Sequence, residues 1–257
     1  LLTGLGKVDS HEPFIREKLL NNVEPVFFTF ADAPTVTKRR FVDSDLAKLF
    51  EVYLYKEDAV SGETEQRICQ WLDANIGGYD VVIVPDFGNG FITPAMIEIF
   101  SAKAKFLAVN TQLNSGNRGY HVIHRYPQAD FVSLNEPELR LSAHSRSESL
   151  ETVAGLVGER VQVKQLAVTR GTKGVMMHDR DNKVFHHIPA LATRVIDRIG
   201  AGDAFLSLAG LCVAKGLDAE VAAFVGSVAA AMDVQIVCNR EPVSPVGLNK
   251  YVSTLLK

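Results

Sequence analysis

Asp197-Arg198-Ile199-Gly200-Ala201-Gly202-Asp203 runs directly into Ala204-Phe205-Leu206-Ser207-Leu208-Ala209-Gly210-Leu211-Cys212-Val213. Small residues at 200–202 let the backbone turn tightly and approach a ligand closely. The Pro-free apolar run behind them predicts a buried helix. A glycine turn that opens a helix points free N–H groups outward, which suits an anion, phosphate above all. Asp203 then stands at the mouth of that anion site. A carboxylate is a poor phosphate ligand, so it needs another reason to be there. It is either a general base that takes a proton from an attacking hydroxyl, or an acidic cap on a plain helix start.

Size and composition bound the rest. A chain of 257 residues with 47% hydrophobic content buries a large core and reads as one α/β domain over 1–257. Its 27 basic and 30 acidic residues are mixed along the chain, which argues against a nucleic-acid surface. No apolar run approaches a membrane span, and Leu1-Leu2-Thr3-Gly4-Leu5-Gly6 lacks the basic start of a signal peptide. Cys69, Cys212 and Cys238 are odd in number, far apart and set in apolar contexts. They read as buried free thiols in a reducing, cytoplasmic location. No Cys/His spacing matches a structural metal site.

Working outward, Thr3–Gly6 and His11–Leu20 read as strand end, turn and helix. Val26–Phe30, Thr35–Val42 and Lys48–Tyr55 are successive β-rich stretches without helices between them. They predict an antiparallel sheet separate from a helix-alternating core. Asp80–Pro85 reads as a buried parallel strand. It feeds the loop Asp86-Phe87-Gly88-Asn89-Gly90-Phe91-Ile92-Thr93, at the strand end where such folds bind ligands. Asp86 is there either a site residue or a turn cap. Phe106–Val109 is the next strand, and residues 110–119 after it are rich in amides, Asn110 and Gln112 first. Such a loop suits the hydroxyls of a sugar or ribose, or it is a plain turn. Ala129–Leu134 leads into Asn135-Glu136-Pro137-Glu138, a capping box whose Asn and Glu face one way at i, i+3. Thr169-Arg170-Gly171-Thr172-Lys173-Gly174 joins two strands, and Lys183–Pro189 reads as an edge hairpin. His186 and His187 alternate across that strand and face opposite sides. Ala219–Met232 and 248–256 are the late helices.

Asp-x-x-Gly-Ala-Gly-Asp, Asn-x-x-Glu and Thr-x-Gly-x-x-Gly occur in the same order in the ribokinase-like (PfkB) carbohydrate kinases, which this chain resembles over nearly its whole length. The resemblance implies an α/β fold: a three-layer αβα sandwich with a mostly parallel sheet, plus a small β-sheet lid over about residues 25–56. It implies ATP and Mg²⁺. Asp203 takes the part of the base, and the amides of Gly200, Ala201 and Gly202 form the anion hole. Asn135 and Glu138 organise Mg²⁺, largely through water. Thr169, Gly171, Gly174 and Asp197 lie on the nucleotide side, and Asn239 lines the adenine pocket.

Within the family, the loop from Asp86 to Thr93 and the run Thr35-Val36-Thr37-Lys38-Arg39 resemble the heptose-phosphate kinase branch. That assigns Asp86, Asn89, Lys38 and Arg40 to a sugar or sugar-phosphate substrate; Asn110 and Gln112 join them on the amide-rich loop alone, where many family members carry Asp-Pro or Asp-x-Lys. Lys38 and Arg40 otherwise read as a solvated basic strand edge. Arg198, Leu208, Phe87 and Asn89 depart from the family pattern, and Asn89 replaces a lysine, removing a point charge. Family members begin with an earlier strand bearing a substrate-binding Asp and a Gly-Gly loop. Neither precedes Leu1, so the chain reads as N-terminally incomplete. The expected activity is a sugar kinase, with a homodimer through the lid by analogy. The alternatives are a catalytically impaired nucleotide- or sugar-binding module of a larger multifunctional protein, or a nucleoside or vitamin kinase of the same fold.

Overall fold

The structure, a computed structural model, describes residues 1–44, 48–56, 60, 62–114, 117 and 119–257. Contacts divide the chain into two units, Leu1–Asn75 with Gly88–Ile99, and Ile76–Phe87 with Phe100–Lys257.

In the first unit, β1 (Leu2–Val8) leads through α1 (Glu12–Lys18) to β2 (Val26–Pro34), which pairs with β1 in parallel. This corrects the expectation of one antiparallel sheet across 25–56. The connection over residues 9–25 is long enough for a crossover, and a crossover makes strands parallel. Among the described residues of this unit, only β3 (Thr37–Val42) and β4 (Lys48–Leu54) form an antiparallel ribbon. Phe41 and Phe50 face each other across it, with rings stacked 4.4 Å apart. α2 (Gly62–Asn75) buries Ile68 and Leu72 and packs on β2.

The second unit is built on β5 (Val82–Asp86), which is followed in the chain by α3 (Pro94–Lys103). Then come β6 (Leu107–Thr111), β7 (Ala129–Asn135), α4 (Glu136–Ser142), α5 (Leu150–Val161) and β8 (Val163–Thr169). After these follow β9 (Val175–Asp179), β10 (Val184–Ile188), α6 (Ala201–Ala214), α7 (Ala219–Asp233) and α8 (Pro245–Leu255). Among the described residues the sheet order is β10-β9-β8-β7-β6-β5. β5 to β8 are mutually parallel, β9 is antiparallel to β8, and β10 to β9. Every residue of β6 and of β9 is buried, as strands covered on both faces require. α6 lies against β5, β6 and β7 and α7 against β9 and β10, while α4 and α5 meet β7, β8 and β9. This is the expected three-layer sandwich. Pro85 stands in β5 at the sheet edge, where a residue without an N–H is tolerated.

The apolar run after the glycine turn is helical, but one-sided. Phe205, Leu206, Ala209 and Gly210 are buried, whereas Leu211 is 44% exposed. Small residues bring α6 close to its neighbours. A Cβ on Gly210 would stand 3.3 Å from the Ala108 methyl. A Cβ on Gly226 of α7 would stand 2.8 Å from the Phe205 ring and 2.9 Å from the Ala209 methyl. The thiols depart from expectation. Cys69 and Cys212 are half-buried, and burial pushes both thiols up; Cys238 is exposed, in a short turn at φ 51°. Among the described residues no helix is long and apolar enough to cross a membrane.

Two glycines should respond oppositely. Gly226→Val drives a side chain into the α6–α7 contact. It should lower unfolding stability by about 1–3 kcal/mol, against a propensity gain of only a few tenths. Gly155→Ala in α5 meets open space and should stabilise by up to about 1 kcal/mol. Urea midpoints of the two variants check this; a Gly226→Val midpoint at or above wild type would refute the close packing.

Candidate active site

The glycine turn caps α6 through Gly200, whose φ is 95°. A Cβ there would fall 2.5–2.8 Å from the side-chain amide of Asn239. Gly200 is therefore required twice, by its backbone angle and by the close approach of Asn239. Asn239 thus lies over the turn. A helix start leaves its first N–H groups without intrahelical partners, so the amides of Gly200, Ala201 and Gly202 lie in the expected anion-holding stretch. Asp197 is tied to backbone on both oxygens. Oδ1 accepts from the Ile199 N–H (3.0 Å) and Oδ2 from the Cys238 N–H (2.9 Å). The N–H groups of Ile196 and Asp197 in turn donate to the Val234 carbonyl (2.8 and 3.0 Å). Asp197 shapes the turn and joins it to the segment carrying Asn239.

Asp203 is in the first turn of α6, and Gln112 Nε2 donates to its Oδ1 at 3.1 Å. The neighbouring N–H, of Leu113, donates to Glu138 Oε1 at 3.3 Å. Glu138 and Asn135 form the expected capping box, Asn135 N–H to Glu138 Oε2 at 2.9 Å and Glu138 N–H to Asn135 Oδ1 at 2.8 Å. The amides of the loop after β6 are largely spent within it. Asn114 and Asn117 each accept from the other's N–H, Asn117 Nδ2 donates to the Gln112 carbonyl, and Asn114 Nδ2 donates to the Phe87 carbonyl. At 114 and 117 the short amide side chains thus close turns on neighbouring backbone, as a plain turn does. Ser115, Gly116 and Arg118 of that loop lie outside the described residues.

Three carboxylates share this end of the fold. Burial pushes Glu138 up to about 7, against the backbone N–H bonds that lower it, and the charge of Asp203 adds to the rise. Burial likewise pushes Asp233, the last residue of α7, up to about 6, with Asp203 and then Asp197 contributing. Asp233 Oδ2 is buried with no hydrogen-bond partner among the described residues. No sequence motif marks Asp233. Among the described residues no group of three or more His, Cys, Asp or Glu is placed to hold a metal.

Thr169 ends β8 and Gly174 precedes β9, with Gly171–Lys173 as a tight turn between them. Gly171 and Gly174 have φ of 57° and 79°, and a Cβ on Gly174 would collide with the Ile188 carbonyl. A cavity of about 620 Å³ opens here, lined by Asn135, Glu136, Arg140, Thr169, Arg170 and Lys173 among others. Glu136 accepts from Arg140 Nε (2.9 Å) and Arg170 Nε (3.2 Å), and Arg140 foremost holds its carboxyl below the usual range. Three cationic side chains against one carboxylate leave the cavity positive, as a polyanion needs. Of these residues the sequence reading singled out Asn135 and Thr169, not the cations.

The residues expected to meet the acceptor fare differently. Asp86 is the last residue of β5, not a turn cap, and is 2% exposed. Its Oδ2 accepts from Arg125 (2.9 Å) and from the Tyr126 hydroxyl (2.9 Å); His121 Nε2 lies 3.0 Å from Oδ1, off the line of a hydrogen bond. Burial, then Asp86, pushes the Tyr126 phenol up. Asp86 is thus engaged within the fold at the position where a substrate contact was expected. Asn110 belongs to β6, which is longer than expected. It is 6% exposed, and its Oδ1 has no hydrogen-bond partner among the described residues. It shares a sheet face with Ala108, the face against α6. In the other unit, Asn89 Oδ1 is buried and equally unpartnered. Arg40 pairs with Glu51 (3.0 Å), which also accepts from Tyr53, whose phenol burial pushes up to about 12 with help from Glu51. Lys38 Nζ stands 5.3 Å from the centre of the Tyr53 ring. The charge of Arg40 is thus paired within the ribbon.

Comparison with known proteins bears on the family and the fold. Residues 31–242 match the family described as pfkB family carbohydrate kinase. A protein of Pelobacter propionicus called bifunctional protein HldE is 31% identical over 178 residues, 68% of this chain and 36% of its own length. The protein of that name from Shewanella baltica (strain OS155) is 30% identical over 218 residues, 82% of this chain and 43% of its own. The chain therefore spans less than half the length of these relatives. The crystal structure of ribokinase from Thermotoga maritima superposes with a TM-score of 0.76 at 16% identity, covering 98% of this chain and 80% of that one. At that identity the likeness shows the fold.

The raised Glu138 carries a pH signature. The folded protein holds this proton more tightly than the unfolded chain, whose value is 4.5. The associated stability is complete below about pH 4.5 and is lost as pH rises through about 7. Glu138→Gln has no proton to lose, so it should gain stability relative to wild type between pH 5 and pH 8. Urea denaturation at both pH values measures this, and an unchanged difference would count against a buried, protonated Glu138.

Proposed function

Because the chain belongs to the pfkB family of carbohydrate kinases, we propose that it transfers the γ-phosphoryl group of ATP to a hydroxyl of a sugar or sugar phosphate. The carrying observation is Asp203 at the open start of α6, beside a glycine turn that no other residue fits. Asp203 deprotonates the attacking hydroxyl. The amides of Gly200, Ala201 and Gly202 hold the charge that develops on the transferring group, where preorganised donors matter most. The positive cavity between Asn135, Thr169 and Lys173 takes the nucleotide's phosphates. Asn110, buried with an unpartnered amide oxygen, accepts from a hydroxyl of the acceptor.

Glu138 fits Mg²⁺ held through water. Its two oxygens each accept one backbone N–H and keep a second lone pair, and magnesium retains much of its water shell. Bound there, Mg²⁺ neutralises phosphate charge.

A nucleotide-binding module without catalysis is the second reading. Asp86 favours it, since the carboxylate expected on the acceptor is locked against Arg125 and Tyr126. ATP consumption with Mg²⁺ separates the two readings, run with heptose phosphates first and other sugars after, and with Asp203→Asn in parallel. Turnover with one acceptor, reduced about 10²–10⁴-fold in the variant with nucleotide binding retained, is the expected result. ATP binding without turnover on any acceptor would establish the module instead.

A further inference from the structure

We propose that Gln112 is the positioning residue for Asp203, and that the peptide at 112–113 couples the base to Glu138. The proposal rests on Asp203 acting as the base. Gln112 is anchored before it reaches Asp203. Its N–H donates to the Asp86 carbonyl (2.9 Å) and its own carbonyl accepts from Asn117 Nδ2 (3.2 Å). With the backbone held on both sides, the side chain delivers Nε2 to Asp203 Oδ1 at 3.1 Å. The next N–H along the chain, of Leu113, reaches Glu138 Oε1. Two successive residues therefore touch both carboxylates, Gln112 through its side chain and Leu113 through its backbone N–H.

This gives the buried Asp86 network a purpose. Arg125 and Tyr126 fix the Asp86 carboxylate, Asp86 fixes Gln112, and Gln112 orients Asp203. A primary amide suits the task. Its NH₂ donates to a carboxylate without bringing charge, so it orients Asp203 through Oδ1 without adding a cation beside the base. A lysine there would hold Asp203 more firmly but would suppress its basicity. Among the described residues, Glu138 on α4 and Asp233 on α7 are electrostatically coupled to Asp203. Both are carboxylates, and the neutral donor offsets them.

The test reads Asp203 directly. The full chain, labelled with ¹³C at aspartate carboxyls, is titrated by NMR, and the Asp203 signal is identified by its loss in Asp203→Asn. In Gln112→Met, which keeps the side chain's length and removes its donors, the Asp203 midpoint should move up by about one pH unit. Turnover, where an acceptor is found, should lose about tenfold in kcat with KM little changed. A folded Gln112→Met with an unmoved midpoint overturns the proposal. Should that variant fail to fold, the Gln112 side-chain ¹⁵N signal in wild type decides. It should follow pH with the Asp203 midpoint, and a signal that ignores the Asp203 titration overturns the proposal equally. Neither signal requires catalysis. A shifted midpoint without turnover on any acceptor would leave the positioning role standing and remove the kinase reading alone.

Discussion

The carboxylate of Asp197 holds together two pieces of chain that the site needs side by side. One oxygen closes the turn before α6 and the other grips the segment that brings Asn239 over Gly200. Hydrogen bonds to a charged acceptor contribute about 1.5–3 kcal/mol each, enough to hold a glycine turn in a left-handed conformation. Without them the N–H groups at the start of α6 have no fixed direction, and an anion hole is only a direction shared by several N–H groups. Asp197, expected on the nucleotide side, thus braces the turn that carries the amides of residues 200–202.

Much of this was legible in the sequence, because periodicity and glycine placement are local signals. The helix behind Gly200, the capping box at Asn135 and Glu138, and the strand–turn–strand around Gly171 and Gly174 form where the chain suggested. The long-range facts were not legible. Strand direction for 26–34 depends on what it pairs with, and the β-rich texture is the same in either direction. His121, Arg125 and Tyr126 carry no motif, and they matter only because the chain folds them onto Asp86. Asn110 and Gln112 look alike in sequence, yet one is left with an orphan oxygen and the other is committed to Asp203. Asp233 was invisible for the same reason.

The site brings three carboxylates, Asp203, Glu138 and Asp233, to one end of the fold. The charge of Asp203 raises the proton affinity of both Glu138 and Asp233, while cations gather around Glu136 in the neighbouring cavity. Such a separation favours a ligand that is itself anionic at one end and brings cations to the other. Like-charged carboxylates in a low dielectric make this end costly to leave empty.

The contact at Gly226 has a reach beyond packing. Gly226 sets how closely α7 lies against α6, and Val234, just past the last turn of α7, receives the N–H groups of Ile196 and Asp197. The helix between them is a spacer, and its length in residues decides which way the Val234 carbonyl points. Each residue added to or removed from that stretch would swing the carbonyl about 100° around the helix axis. A deletion there would leave every recognisable motif intact and still unseat the turn. Part of the site's information is therefore stored as a count of residues in an alanine-rich helix rather than as the identity of any one of them.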